Sequence, residues 1–116
     1  MAQVLEASRC PQCGLLVVPP EPIGCERCGT PAAALAATTV SSAGAVIGHA
    51  VVHEHARPEP PTPFVVVEVR LDDGPVVRSL LRDAVAGGTA AVDLGDRVEG
   101  AFHDDRFAFV ASEVSR

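Results

Sequence analysis

Four cysteines fall as Cys10-Pro11-Gln12-Cys13-Gly14 and Cys25-Glu26-Arg27-Cys28-Gly29, a C-x2-C-x11-C-x2-C pattern in which Gly follows each pair. Two thiolates with two residues between them can grip one ion from a single tight turn, and the Gly behind them supplies the positive φ that the turn needs. Two such knuckles make a tetrahedral four-sulfur site, the chemistry of a zinc ribbon. Zinc is the expected ion. Iron shares the ligand set and geometry, and colour separates the two: red for iron, none for zinc. A redox pair needs one C-x-x-C at a strand-to-helix junction rather than two copies bracketing a Pro-rich loop. Two disulfides would be the reading in a short secreted chain, but the knuckle spacing points to metal. Four thiolates also close the coordination shell and leave a formal charge of about -2, so the site is structural rather than catalytic. Residues 10 to 29 are too few to bury a core, and metal binding, worth on the order of 10 kcal/mol in small zinc peptides, must supply much of their folding energy.

Other reactive side chains form weaker patterns. His49, His53 and His55 would share one face of a strand, and with Glu54 they could form a second metal site. A Pro-rich loop begins there and no fourth ligand is evident, so solvated or hydrogen-bonded histidines fit better. Ser79 and Ser112 sit in no nucleophile motif, and every Cys is committed to metal. Asp72-Asp73 and Asp104-Asp105 fall in expected turns, where Asp is favoured for backbone reasons. No catalytic constellation emerges, and the chain is not expected to be an enzyme by itself.

The elements that position these residues read as almost entirely β. Leu15 to Val18 forms a short strand stopped by Pro19-Pro20. Ala32 to Ala37 is helical by composition, yet Pro31 and the following Thr38-Thr39-Val40-Ser41 favour an extended exit strand. Five strands follow: Val46 to His53, Phe64 to Leu71, Val76 to Leu81, Arg97 to Phe102 and Arg106 to Ala111. Asp72-Asp73-Gly74, Leu94-Gly95-Asp96 and His103-Asp104-Asp105 supply turns. Five short strands with a longer connection, Arg82 to Val92, between the third and fourth match an OB-type barrel, with a small sandwich as the alternative. Gly44 and Gly48 would provide the bend in a long first strand. Residues 1–40 are expected to form the ribbon with its exit strand, and residues 41–116 the OB-fold domain.

Size and charge narrow the function further. The 116 residues suffice for one ordinary domain or two small ones, not for a catalytic barrel or a doubly wound nucleotide domain. All nine basic residues are Arg, the net charge is -6, and the only aromatics are Phe64, Phe102, Phe107 and Phe109. Nucleic-acid binding, common among ribbons and OB-folds, needs a basic groove with stacking platforms. Residues 64 to 116 instead carry six Arg against ten acidic residues, and Phe102, Phe107 and Phe109 are expected to fill the barrel. A nucleic-acid or transcription-type adaptor is the alternative reading. No window of ~20 apolar residues and no basic, apolar leader is present, so a cytoplasmic location and no membrane partner are expected.

The knuckle pair with its Pro-Pro loop, the Gly-x-Val strand ending in Val51-Val52-His53, the Pro-rich loop and Phe64-Val65-Val66-Val67-Glu68-Val69 resemble the DUF35 family. The stretches concerned are Arg9 to Gly29, Gly44 to His53, Phe64 to Leu81 and Val92 to Phe102. That resemblance implies a rubredoxin-like zinc ribbon followed by an OB-fold. It also implies a non-catalytic accessory subunit that docks on a thiolase-like, lipid-transfer-protein type enzyme and supports acyl-CoA binding in C-C bond formation or cleavage. The catalytic Cys or its equivalent would belong to the partner. Family members often carry helices ahead of the ribbon, whereas nine residues precede Cys10 here, so contacts of such helices are expected to be missing or supplied by the partner. For the phosphates of a CoA thioester, Arg57, Arg78 and Arg82 are the candidate contacts, since guanidinium forks suit phosphate oxygens. Solvated surface arginines are the competing reading. The Pro-rich loop and one barrel face would form the docking surface.

Overall fold

The computed structural model describes residues 3–20, 22–54, 56–57, 62–82, 85–86, 89–90, 92–103 and 105–111. Ten strands run along it: β1 Val4–Arg9, β2 Leu16–Val17, β3 Ala36–Ser41, β4 Gly44–Val52, β5 Phe64–Leu71, β6 Val76–Leu81, β7 Val85–Ala86, β8 Thr89–Ala90, β9 Arg97–His103 and β10 Arg106–Ala111. The only helical element among the described residues is a single 3-10 turn, Ala32–Ala34. The Ala-rich run thus spends one turn on helix before extending into β3, as the Thr-Thr-Val sequence beyond it demands.

β4, β5, β6, β9 and β10 close into a five-stranded barrel in the order β10-β6-β5-β4-β9. Every pairing is antiparallel except the closing contact between β10 and β6, where Phe109 faces Leu81 and the Arg82 amide donates to the Phe109 carbonyl at 2.9 Å. This is the OB arrangement. The Arg82 to Val92 connection adds a small hairpin, β7-β8, before Val92 returns to the core.

Alternation builds the interior. In β5, Val65, Val67, Val69 and Leu71 are buried while Phe64, Val66, Glu68 and Arg70 are not. Removing each of these side chains from water contributes roughly 1.5–3 kcal/mol. Val46, Val98 and the fully buried Phe109 complete the centre. The three phenylalanines do not act alike. Phe107 is half-buried and packs edge-on against Phe109, with centroids 5.1 Å apart, whereas Phe102 is 51% exposed and only leans on Phe107. The expectation that all three fill the barrel is corrected at Phe102, which lies near the end of β9, where the barrel mouth no longer encloses it.

Two glycines shape the first barrel strand. A Cβ on Gly44 would stand 2.3 Å from the Arg70 carbonyl oxygen, so only Gly admits that close approach. At Ile47 the register with β5 slips by one residue between Val46 and Gly48, a bulge that bends β4 over the barrel.

Sequence patterning does not announce β1, which occupies the centre of a second sheet, β2-β1-β3. All six of its residues pair with β3, from Val4 opposite Ser41 to Arg9 opposite Ala36. Leu5, Ala7 and Val40 join the same apolar cluster as the barrel residues. Buried Ser42 forms the junction: its Oγ donates to the Gln3 carbonyl at 2.6 Å and accepts from the Gly100 amide at 3.1 Å.

Candidate metal centre

Each knuckle is one turn closed by two backbone hydrogen bonds. In the first, the Cys10 amide donates to the Leu15 carbonyl at 2.9 Å and the Gly14 amide to the Cys10 carbonyl at 2.8 Å. The second repeats the pattern, the Cys25 amide donating to the Thr30 carbonyl at 2.8 Å and the Gly29 amide to the Cys25 carbonyl at 2.9 Å. Gly14 and Gly29 take φ of 79° and 84°, the left-handed backbone expected of them.

The two turns bring all four sulfurs within 4.8 Å of one another. Cys10 Sγ lies 3.5 Å from Cys28 Sγ, and Cys13 Sγ 3.6 Å from Cys25 Sγ. A tetrahedron with ~2.3 Å metal-sulfur bonds spaces its sulfurs by about 3.8 Å, so the donor set fits one tetrahedral ion. None of the four is in a disulfide. Cys10, Cys13, Cys25 and Cys28 would hold the ion, whose contribution is to tie the two knuckles together.

Polar neighbours favour ionised sulfur. The Thr30 hydroxyl, helped by the amides of Cys13 and Gln12 and opposed by burial, pulls Cys10 down to about 6. The Leu15 amide lowers Cys13, against a burial penalty and with Arg27 assisting. Cys25 goes the other way: the Cys28 amide favours its thiolate, but burial and the thiols of Cys13 and Cys28 outweigh that and raise it. Arg27 also reaches across the ribbon, its Nη2 donating to the Cys13 carbonyl at 2.6 Å.

The remaining sequence candidates scatter. His49 and His53 are exposed on and just beyond β4, His55 lies outside the described residues, and among the described residues the four cysteines are the only clustered ligand set. Ser79 Oγ donates to the Phe107 carbonyl at 3.3 Å, a structural use of the hydroxyl, and Ser112 lies outside the described residues. Arg78 pairs with Glu68 at 2.6 Å beside a shallow cavity of about 300 Å³ that His49 also lines. Arg57 is exposed in the β4-β5 connection and Arg82 is half-buried just past β6. Antiparallel register puts those two at the same end of the barrel, since Leu81 faces Val65 at the start of β5. A groove of about 770 Å³ separates ribbon from barrel, lined by Leu16, Val18, Arg27, Asp73 and Val76 among others. Glu26 also lines it, and among the described residues no Ser, Thr, Cys or His does.

Residues 2–32 match the family model of the ChsH2 rubredoxin-like zinc ribbon domain. The DUF35 resemblance is borne out. Beyond the ribbon, the chain is similar to a solved structure described as "Ltp2-ChsH2(DUF35) aldolase". That likeness has a TM-score of 0.70 at 23% identity and covers 95% of this chain and 84% of the other. The ribbon and the barrel therefore recur in one order in both. A comparison with curated proteins returns no match. Among the described residues, no helix is long and apolar enough to cross a membrane.

Proposed function

We propose that this chain is a non-catalytic accessory subunit of an enzyme complex of lipid metabolism, docking on a thiolase-like partner that acts on an acyl-CoA. The observation that carries the reading is the likeness, over 95% of the chain, to a structure whose description joins a DUF35 protein to an aldolase. Cys10, Cys13, Cys25 and Cys28 hold a structural Zn2+, and the closed thiolate shell leaves catalysis to the partner. The chain divides at residues 40 and 41 into ribbon and OB-fold, one residue short of the end of β3 at Ser41 and beside the buried Ser42. A cytoplasmic location belongs to the same proposal.

CoA phosphate contact falls to Arg57 and Arg82 at the shared barrel end, with Arg78 the weaker member because Glu68 already neutralises it. Replacing Arg78 with Ala and finding the complex's CoA affinity unchanged removes it from the list. The primary test is a tagged pull-down of the full chain from its source lysate, at moderate salt with nuclease, read by mass spectrometry. Near-stoichiometric recovery of a thiolase-fold or other acyl-CoA enzyme is expected. Recovery of polymerase or ribosomal components instead would turn the reading to a nucleic-acid adaptor.

A further inference from the structure

The two knuckles correspond residue for residue in their hydrogen bonds, Cys10 with Cys25, Gly14 with Gly29 and Leu15 with Thr30, which sets Cys13 against Cys28. Only the second knuckle carries a hydroxyl at that last position. Thr30 Oγ1 lies 3.1 Å from Cys28 Sγ and 3.4 Å from Cys10 Sγ, so it reaches one sulfur of each knuckle. Its backbone carbonyl is tied to the Cys25 amide at 2.8 Å, which holds the side chain over the sulfurs. The hydroxyl has one proton to give: the Cys10 thiol donates to its oxygen, and the nearer Cys28 sulfur is placed to accept from it.

We propose that Thr30 is a positioning residue for the metal, its hydroxyl standing between the Cys10 and Cys28 sulfurs, donating its single proton to the Cys28 thiolate at 3.1 Å and slowing loss of the ion. This rests on the metal reading given above. A hydrogen bond to a thiolate offsets the negative charge of a four-sulfur shell and fixes the sulfur's orientation, and outer partners of this kind typically change metal affinity 10–100-fold. The hydroxyl is found on one side only: Leu15 offers the first knuckle an amide but no hydroxyl, and Cys13 has the Arg27 guanidinium instead.

The test uses the full chain loaded with zinc and titrated against a coloured chelator, for the wild type, Thr30→Val and Thr30→Ser. Thr30→Val keeps the shape and removes the donor, and is expected to weaken zinc retention about 10–100-fold. Thr30→Ser keeps the donor and is expected to stay within about threefold of the wild type. In the cobalt-substituted protein, Thr30→Val should also move the thiolate-to-cobalt charge-transfer band to longer wavelength, because an unbonded sulfur lone pair is easier to ionise. Wild-type retention and an unmoved band in Thr30→Val overturn the proposal while leaving the metal reading intact. A Thr30→Ser variant that loses zinc as Thr30→Val does overturns it too, by assigning the effect to the methyl group, and it decides the matter if Thr30→Val fails to fold. A wild-type chain that takes up no zinc or cobalt overturns the metal reading and this one with it.

Discussion

Among the described residues from Cys10 to Pro31, the only buried side chains are two sulfurs, Cys10 and Cys25, whereas the barrel seals Val65, Val67, Val69 and Phe109 from solvent completely. Ile23, in the loop between the knuckles, is 84% exposed. One region adds only the partly buried Leu16 and Val18 to the core and must be held by a few strong bonds to an ion; the other is held by many weak contacts among close-packed hydrocarbons. Between them, β1 and β3 lend Leu5, Ala7 and Val40 to the barrel's cluster, so the sheet that carries the knuckles is anchored from the barrel side. The contrast is therefore between the knuckles and everything else, not between two equal halves.

The largest expected effect tests the knuckles. Stripping the metal with a chelator, or changing Cys25 to Ser, should remove binding energy on the order of 10 kcal/mol from a region that has only Leu16 and Val18 packed on the core. Amide exchange is expected to show residues 10–31 losing protection while β5 and β6 keep theirs. Equal loss in the barrel would break the contrast.

The converse perturbation is Phe109→Ala, which empties the centre of the barrel and should cost about 3–5 kcal/mol by denaturant midpoint. Zinc affinity of the folded fraction should be unchanged. A parallel fall in metal binding would mean that the knuckles lean on the barrel more than their burial implies.

Gly44→Ala comes next. The new methyl would meet the Arg70 carbonyl oxygen and Val69 Cγ1, so β4 must shift, at an expected cost of about 1–3 kcal/mol. A neutral result in thermal unfolding would show that β4 can slide against β5.

The smallest effect belongs to a surface pair. Arg97 donates to both Asp72 oxygens, at 2.8 and 2.7 Å, fastening the β5-β6 turn to β9. This holds the Asp72 carboxyl below its ordinary value. A lowered carboxylate stabilises the fold above its unfolded pKa, near 3.9, and the contribution fades as pH falls through the lower folded value. With both side chains about half exposed, Asp72→Asn should cost no more than about 1 kcal/mol near pH 7. The gap to wild type should be constant from pH 7 to 5, shrink below about pH 4, and narrow in high salt.

Much of this was legible in the residue order. The ligand spacing and the two glycines specify the knuckles locally, because a C-x-x-C-G turn is closed by its own backbone. Alternation in Phe64 to Leu71 gave both the strand and its buried face, and the bounds of β5, β6 and β10 match the expected runs. β1 escaped notice: Val4-Leu5-Glu6-Ala7-Ser8-Arg9 has a weak apolar pattern, and its strand character comes from lying between β2 and β3. Thr30 was missed for a related reason, since a lone Thr after C-x-x-C-G carries no motif until both knuckles close over it.

The sequence by itself determined the metal-binding chemistry and the inward faces of the barrel strands, because both depend on spacings within a few residues. Only the tertiary structure decided which side chains meet across long separations. Ser42 against Gln3 and Gly100, Arg97 against Asp72, Thr30 beneath Cys10, and the exposure of Phe102 beside the burial of Phe109 all depend on how distant strands come to rest against one another. Side-chain type and local period carry no record of that arrangement.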